Sequence, residues 1–212
     1  MLTESHSRTD HSRRNRGTKN GFARVLSSGA AHRAVAALLL LVPALAGCHR
    51  GGYTVVAGGQ DTLQLTSSSF QDGRIPKQFT CDGADLSPQL AWTAPPPATK
   101  TLALIVVDPD APMGGFTHWV LYNLPVAEHS LAEGLPTQAQ LRDGSRQGRN
   151  DFGKMGYGGS CPPQNSEHRY IFTLYALDTT LDLPPGATRD QVEKALKGHV
   201  LAHGQLIARY AR

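Results

Sequence analysis

The central part of the chain carries hydrophobic patterns that predict β-strands. Residues 102–107 (LALIVV) form an uninterrupted apolar run, which is typical of a strand that is buried on both faces. Residues 118–124 (HWVLYNL) predict a second strand, in which successive side chains point to opposite faces, so that His118, Val120 and Tyr122 share one face. These patterns predict two strands, of which the second carries a histidine.

A third strand is predicted over residues 169–177 (RYIFTLYAL). Its alternation places Tyr170 on the face opposite Arg169, so we expect the arginine to have a structural role. No internal repeat or second domain is evident beyond residue 60. The pattern therefore predicts one mainly β domain over residues 61–212.

Two short helices are predicted near the C-terminal end. Thr188 and Gln191 have the spacing of a capping box, and apolar residues follow at helical intervals. Residues 199–210 predict a second helix, on which His199 and His203 stand four positions apart. This spacing can chelate zinc, but no HExxH pattern accompanies it. We therefore expect two histidines on a helix surface and no metal.

The first 48 residues have the composition of an export signal. Arginines up to Arg33 precede an apolar run over residues 34–46, which is shorter than the roughly 20 apolar residues of a membrane span. The run ends in Leu45-Ala46-Gly47-Cys48, which resembles the bacterial lipobox, where the cysteine is lipidated and becomes the first residue of the mature protein. We expect a lipoprotein signal peptide over residues 1–48 with lipid on Cys48; a plain signal peptide with an incidental cysteine is the alternative.

The next segment predicts a tether between that anchor and the domain. Residues 49–60 (HRGGYTVVAGGQ) are rich in glycine and show no hydrophobic period, as flexible linkers do. His49 stands where an aspartate would favour retention in the inner membrane. We therefore expect an exported protein that is lipid-anchored at the periplasmic face of the outer membrane.

The charge of the chain is concentrated in its leader. The protein has a formal net charge of +4, but residues 1–48 hold seven Lys/Arg and two Asp/Glu, a net charge of +5. Residues 49–212 hold the other 14 Lys/Arg and 15 Asp/Glu, a net charge of −1. The domain therefore lacks the basic excess of nucleic-acid-binding proteins, and we expect no nucleic-acid partner.

The three cysteines comprise one candidate lipidation site and one candidate disulfide pair. If Cys48 carries lipid, Cys81 and Cys161 remain, in a compartment that favours disulfides. We expect a disulfide between them, with two free buried thiols as the alternative.

Two loop motifs carry the candidate chemistry. The first is Asp108-Pro109-Asp110-Ala111-Pro112, followed by Phe116-Thr117-His118-Trp119; the second runs from Gly156 to Pro163 (GYGGSCPP) and precedes His168-Arg169-Tyr170. Each motif places a rigid loop beside a strand that carries a histidine. Such loops on a rigid scaffold concentrate binding groups, so we expect them to wall a small polar pocket.

Read together, these motifs resemble the phosphatidylethanolamine-binding protein family, in its bacterial Raf-kinase-inhibitor-like branch. Thr80-Cys81-Asp82-Gly83, Gln147-Gly148-Arg149-Asn150-Asp151 and Leu174-Tyr175-Ala176-Leu177-Asp178 fit that branch as well, and the resemblance spans residues 63–212. It implies a mainly β fold, a β-sandwich of antiparallel sheets with short C-terminal helices, and a small anion pocket at one end. The family's pocket residues correspond to Asp108, His118, Gly159, Pro162, His168 and Tyr170.

These groups predict a site for an oxyanion. The imidazoles of His118 and His168, the Tyr170 hydroxyl and the N–H groups of residues 158–160 could all donate hydrogen bonds. Asp108 would accept an N–H from a histidine and fix its tautomer. We expect Asp110, Pro112 and Gly158 to shape the loops. Affinity for phosphate-like ligands should then depend on histidine protonation and weaken between about pH 6 and 8.

Catalytic interpretations are weaker. Asp108, Asp110, His118 and His168 could form a carboxylate–imidazole metal site, but Asp110 more often caps a turn. Cys161 near the histidines resembles a thiol nucleophile, but its expected pairing with Cys81 argues against this role. We therefore predict no cofactor, no metal and no enzymatic activity.

Two functional classes remain from the sequence. The first is a membrane-anchored binding module for a small anion, such as phosphate or a phosphorylated headgroup. The alternative is an inhibitor or modulator of a protein partner, such as a protease, through the surface around the pocket, because relatives in the family act as inhibitors.

Overall fold

The computed structural model describes residues 55–56, 58–112 and 114–212 of the chain. The predicted signal peptide, Cys48 and most of the predicted tether lie outside these residues. No helix among the described residues has the length and apolar content needed to cross a membrane.

Strands dominate the described part of the chain. One α-helix, α1 (Arg189–Leu196), and one 3-10 helix (Lys77–Phe79) accompany them. The strands are β1 (Gln60–Asp61), β2 (Leu65–Thr66), β3 (Leu90–Trp92), β4 (Thr101–Asp108), β5 (Phe116–Pro125), β6 (Ser130–Leu131), β7 (Arg146–Gln147), β8 (Glu167–Leu177) and β9 (Val200–Ala211).

The strands form two sheets that enclose the main core. The larger sheet has the order β1-β9-β8-β4-β5-β7, and the smaller has the order β2-β3-β6. Neighbouring strands run antiparallel, except for the parallel pair β1 and β9. Leu90 and Leu131 of the small sheet pack with Leu104, Trp119 and Phe172 of the large one. The predicted β-sandwich is therefore confirmed.

The outer face of the large sheet is covered as well. Val192 and Leu196 of α1 pack in one cluster with Ile105, Val120 and Tyr175 of the sheet. Strand β4 lies between β5 and β8 and is buried at every position from Thr101 to Asp108. This double burial explains its uninterrupted apolar sequence.

The three predicted strands and the first predicted helix are confirmed. Strands β4, β5 and β8 contain the predicted segments, and Tyr170 is buried while Arg169 lies on the other face of β8. Helix α1 begins after Thr188, whose side chain and that of Gln191 form the expected capping box.

The predicted second helix over residues 199–210 is wrong. The segment is strand β9, which pairs along its whole length with β8. Its even-numbered positions from Ala202 to Ala208 lie on the more buried face, where small residues such as Ala202 and Gly204 weaken the alternating pattern. Gly204 leaves room for the backbone of Leu63, which a side chain would displace.

The domain begins earlier than residue 61. Val56 is buried in the outer core cluster, and its N–H donates to the Tyr175 hydroxyl over 3.4 Å. Gln60 and Asp61 pair with Ala202 and His203 as strand β1. The C-terminal end of the predicted tether is therefore held on the sheet.

Candidate functional site

A cavity of about 220 Å³ opens at the end of the large sheet where β4 ends and β5 and β8 begin. Its polar lining consists of Asp108, His118 and His168. The disulfide residue Cys161 also lines the cavity. The remaining lining is apolar and comes from both loop motifs and from a third loop: Ala111, Pro112, Phe116, Phe152, Pro162 and Pro163. The structure thus brings the two motifs together around one small cavity.

Asp108 organises the first loop and one histidine. Its Oδ1 atom accepts the backbone N–H groups of Asp110 over 2.9 Å and of Ala111 over 3.1 Å. Its Oδ2 atom lies 2.8 Å from Nδ1 of His168. Because a carboxylate accepts, Nδ1 of His168 carries the proton, and Nε2 is the ring nitrogen left for a ligand. The expected contact between Asp108 and a histidine is therefore present, and that histidine is His168.

His118 reaches the cavity because β5 contains a bulge. Val106 pairs with Trp119 and Val107 pairs with Thr117, so His118 is the extra residue between them. Its ring lies edge-on to that of Tyr170, with ring centres 5.0 Å apart, on the sheet face opposite Val120. The predicted alternation, which grouped His118 with Val120, is wrong at this position because a bulge redirects the side chain.

Gly158 fixes which ring nitrogen of His118 carries a proton. The Gly158 N–H donates to the His118 carbonyl over 2.8 Å, and the Gly158 carbonyl lies 2.7 Å from Nδ1 of the His118 ring. A carbonyl can only accept, so Nδ1 carries a proton and Nε2 is the second ring nitrogen. Burial lowers the pKa of His118 below its ordinary 6.5, although the Gly158 carbonyl and Asp108 act in the opposite direction. The imidazole of His118 is therefore neutral at neutral pH.

The glycine loop does not supply the expected N–H donors. The Gly158 N–H is used by His118, and the Gly159 N–H donates to Oδ1 of Asp85 over 2.6 Å. Gly159 lies against Asp85 and the backbone of Thr80, where a Cβ atom would not fit. The predicted oxyanion concavity of loop N–H groups is therefore wrong for these two residues.

Tyr170 lies beneath the cavity and does not line it. The residue is only 1% exposed, and its hydroxyl is next to Ser160 and Asp108 without a hydrogen bond of good geometry among the described residues. Burial raises the pKa of Tyr170, and the charge of Asp108 adds to this shift. Tyr170 therefore supports His118 with its ring and stays protonated.

Asp110 and Arg169 connect the first loop to β8. Asp110 accepts from the Arg169 backbone N–H over 2.8 Å and from its guanidinium over 2.6 and 3.0 Å. These bonds hold the pKa of Asp110 below its ordinary 3.8. The turn itself is capped by Asp108, so Asp110 shapes the loop from outside, and Arg169 is structural as expected. Pro112 and Pro162 lie in the cavity wall.

The predicted disulfide is confirmed between Cys81 and Cys161. Cys161 belongs to the cavity wall, so the bond connects that wall to the loop of residues 80–83. Arg212 lies beside it, with Nη1 3.5 Å from the Cys161 sulfur and Nε 3.0 Å from Asp82. The thiol of Cys161 is therefore not available as a nucleophile.

Phe152 is the main site residue that the sequence reasoning missed. It is 42% exposed, and its ring packs edge-on against Phe116 and against His118, at 4.7 and 5.4 Å between ring centres. Asn150 holds the turn that carries it, because its Oδ1 accepts the N–H groups of Phe152 and Lys154. Phe152 directly follows the motif over residues 147–151 in the sequence, but nothing in that motif marks an aromatic at the cavity.

The remaining histidine pair is not a chelating pair on a helix. His199 lies in the turn before β9, where Nδ1 is 2.8 Å from the Asp178 carboxylate, and His203 lies within β9. No group of three or more His, Cys, Asp or Glu side chains within residues 55–56, 58–112 and 114–212 is arranged to hold a metal ion.

Comparison with known proteins places this cavity in a family. A family model described as phosphatidylethanolamine-binding protein matches residues 66–211. The chain belongs to the phosphatidylethanolamine-binding protein family. A UPF0098 protein of Methanothermobacter thermautotrophicus is 50% identical over 151 residues, which cover 71% of this chain and 99% of that protein.

Solved structures of the family agree with the fold. A phosphatidylethanolamine-binding protein homologue from Chlamydia trachomatis superposes with a TM-score of 0.65 at 39% identity, covering 72% of this chain and 99% of that one. E. coli YbcL, described as a new member of the mammalian family, superposes with a TM-score of 0.63 at 32% identity, over 71% of this chain and 98% of that one. The family and the fold that the loop motifs predicted are confirmed.

Proposed function

We propose that this family member is a non-enzymatic binding protein whose cavity takes a small anion, such as phosphate or a phosphorylated headgroup. The observation that carries the proposal is the pairing of His168 with Asp108, which leaves Nε2 of His168 as the ring nitrogen for a ligand. When His168 is protonated, this atom is a charged donor at the bottom of a small cavity. Charge-assisted hydrogen bonds of this kind are stronger than neutral ones.

The walls of the cavity support a binding role. Pro112, Pro162 and Pro163 are rigid, and the disulfide fixes Cys161, which precedes Pro162 in the same wall. A preformed cavity loses little conformational entropy when a ligand enters. The apolar rim, which includes Phe152, favours ligands with an organic substituent next to the anionic group.

Nothing in the lining supports nucleophilic chemistry. The Cys161 sulfur is in the disulfide, and Ser160 is 1% exposed and belongs to the wall behind the cavity. Among the described residues that line the cavity there is no lysine, serine or threonine. These features favour binding over catalysis.

The test compares two histidines that are each paired with an aspartate. His168 pairs with Asp108 inside the cavity, and His199 pairs with Asp178 at the surface, both over 2.8 Å. We expect titration calorimetry to detect phosphate and phosphoethanolamine binding that weakens at least about tenfold from pH 6 to pH 8, because histidine loses its charge in this interval. His168→Gln should weaken binding at pH 6 at least about tenfold, because the charged donor in the cavity is lost, and His199→Gln should leave the affinity unchanged. Equal affinities at both pH values, or the same loss in both variants, would refute the proposal.

We also propose that the domain is exported and anchored through lipid on Cys48. This proposal rests on the lipobox-like Leu45-Ala46-Gly47-Cys48 and on the basic and apolar segments before it. In cells given a radiolabelled fatty acid, the wild-type protein should carry label and sediment with membranes. Cys48→Ala should lose both properties, whereas Cys81→Ala should keep the label; labelling that persists without Cys48 would contradict the anchor.

A further inference from the structure

The two cysteines of the disulfide differ in their access to solution. Cys81 is exposed, and it lines a second cavity of about 200 Å³ that shares Phe152 with the first cavity, at the end of the large sheet. Cys161 is half-buried in the wall of the first cavity. A thiol that approaches the bond from solution therefore meets Cys81 first.

A guanidinium group contacts the sulfur of the less exposed cysteine. Nη1 of Arg212 lies 3.5 Å from the Cys161 sulfur, and Nε of the same side chain binds Asp82 over 3.0 Å. The Cys81 sulfur has no hydrogen-bond donor among the residues that the structure describes. A cation beside a sulfur stabilises its thiolate, and a thiolate of lower pKa leaves faster in thiol–disulfide exchange. Cys161 is therefore the better leaving group of the two.

The other charged groups near the bond do not reverse this asymmetry. Asp85 and Lys154 line the second cavity and carry opposite charges. His168 and Asp108 line the first cavity and are paired with each other over 2.8 Å. The guanidinium of Arg212 is thus the charged group that acts on one sulfur more than on the other.

Other contacts hold the two cysteines close together when the bond opens. The Cys81 N–H donates to the Ser160 carbonyl over 3.2 Å, and Asp82 binds both Arg212 and the Tyr210 hydroxyl. These contacts keep the loop in place without the sulfur atoms. Reduction is therefore a local event, and the folded protein can form the bond again.

We propose that the bond between Cys81 and Cys161 is a site of thiol–disulfide exchange, at which a thiolate attacks Cys81 and Cys161 leaves as a thiolate held by Arg212. In this step the S–S bond breaks, its electron pair goes to the Cys161 sulfur, and a mixed disulfide forms on Cys81. This inference concerns the disulfide alone and does not depend on what the first cavity binds.

The reducing partner is a dithiol. Its second thiolate attacks its own sulfur in the mixed disulfide, which releases Cys81 as a thiolate and closes a disulfide in the partner. The dithiol is thereby oxidised and loses two electrons and two protons. The electrons go to the two sulfur atoms of the protein, and the protons are taken up by these sulfurs or by the buffer.

The first test uses the wild-type, full-length protein with dithiothreitol as the dithiol. Peptide mass spectrometry after alkylation follows each cysteine separately, including Cys48. Reduction should proceed at a rate proportional to the dithiothreitol concentration, because attack on an exposed disulfide is bimolecular. A rate that becomes independent of this concentration would show that the bond opens only after unfolding, and would overturn the proposal.

The direction of attack is read from a monothiol. After brief reaction with glutathione and an acid quench, the mixed disulfide should lie on Cys81 in at least about tenfold excess over Cys161. A mixed disulfide that lies mainly on Cys161, or equally on both, would contradict the proposed direction.

A matched pair of arginines tests the role of the cation. Arg212 contacts the Cys161 sulfur, whereas Arg209 lies three residues earlier and pairs with Glu167 over 3.6 Å. Arg212→Gln should slow reduction by dithiothreitol at least about fivefold, because the leaving thiolate loses its cation. Arg209→Gln should leave the rate unchanged. A rate in Arg212→Gln that is unchanged or higher, or the same loss in both variants, would refute the assignment.

The thiols of single-cysteine variants provide an independent readout. In Cys81→Ser the alkylation of Cys161 by iodoacetamide should have its midpoint below the ordinary thiol pKa of about 8.5. In Cys161→Ser the midpoint for Cys81 should lie at or above that value. Adding Arg212→Gln to Cys81→Ser should raise the midpoint for Cys161. Equal midpoints for the two cysteines would contradict the proposal, and the wild-type kinetics test it even if a variant does not fold.

Discussion

Replacing Cys81 and Cys161 by alanine removes a cross-link that closes a loop of 80 residues. The chain-entropy model gives about 4.5 kcal/mol for a loop of this length, mostly because the reduced unfolded chain gains freedom. The folded state keeps other connections at this place: the Cys81 N–H donates to the Ser160 carbonyl over 3.2 Å, and Asp82 binds Arg212. The variant should therefore fold to the same structure with a free energy of unfolding that is lower by about 4 kcal/mol.

Urea unfolding of the purified protein measures this loss. The midpoint should fall, and the slope m should rise because an uncross-linked chain exposes more surface. The melting temperature should decrease by about 8–16 °C for a domain of this size. Wild-type protein unfolded in the presence of a reductant should match the variant, whereas the variant should not respond to the reductant. A loss below about 1 kcal/mol with an unchanged slope would refute the entropic reasoning.

Three further predictions concern the core, the helix and the pH dependence of stability. In Gln147→Leu the buried indole N–H of Trp119 loses its acceptor at 2.9 Å, and urea unfolding should show a loss of about 2 kcal/mol; a loss below about 0.5 kcal/mol would contradict this. Thr188→Ala breaks the capping box with Gln191 and should cost about 1 kcal/mol, most of which Thr188→Ser should retain. Burial lowers the pKa of His118 in the folded protein. As the pH falls below 6.5, His118 therefore binds a proton in the unfolded state at a higher pH than in the folded state, and the free energy of unfolding should decrease as the pH falls. His118→Phe should remove this part of the pH dependence, and an unchanged slope would contradict the assignment.

The sequence predicted the central strand β4 correctly because every position of that strand is buried. Strand β4 is covered on both faces, so its residues had no reason to alternate, and the apolar run over 102–107 was unambiguous. Strand β9 was misread for a related reason. Its inward positions include Ala202 and Gly204. Gly204 lies against the backbone of Leu63, where a side chain would not fit, and this close approach is a tertiary contact that no local pattern reports.

Four of the six pocket residues that the resemblance implied line the cavity, namely Asp108, His118, Pro162 and His168, and their roles were less predictable than their presence. The motifs identified both histidines, but the bulge that turns His118 toward Tyr170 depends on the register of β5 against β4. The Gly159 N–H was expected to meet an anion, yet it is bound by Asp85, which lies 74 positions away in the chain. Long-range partners of this kind decide whether a loop N–H group or a ring nitrogen is free for a ligand.

The pairing of β1 with β9 has a practical consequence for attaching this domain to a surface or to another protein. Asp61 lies beside His203, and His203 pairs with Tyr175. Tyr175 is seven residues along β8 from His168, a separation of about 23 Å in an extended strand. A fusion or immobilising group joined before β1 therefore leaves the cavity open to solution. A group joined after Arg212, whose side chain touches Cys161, would sit at the cavity mouth and compete with whatever enters it.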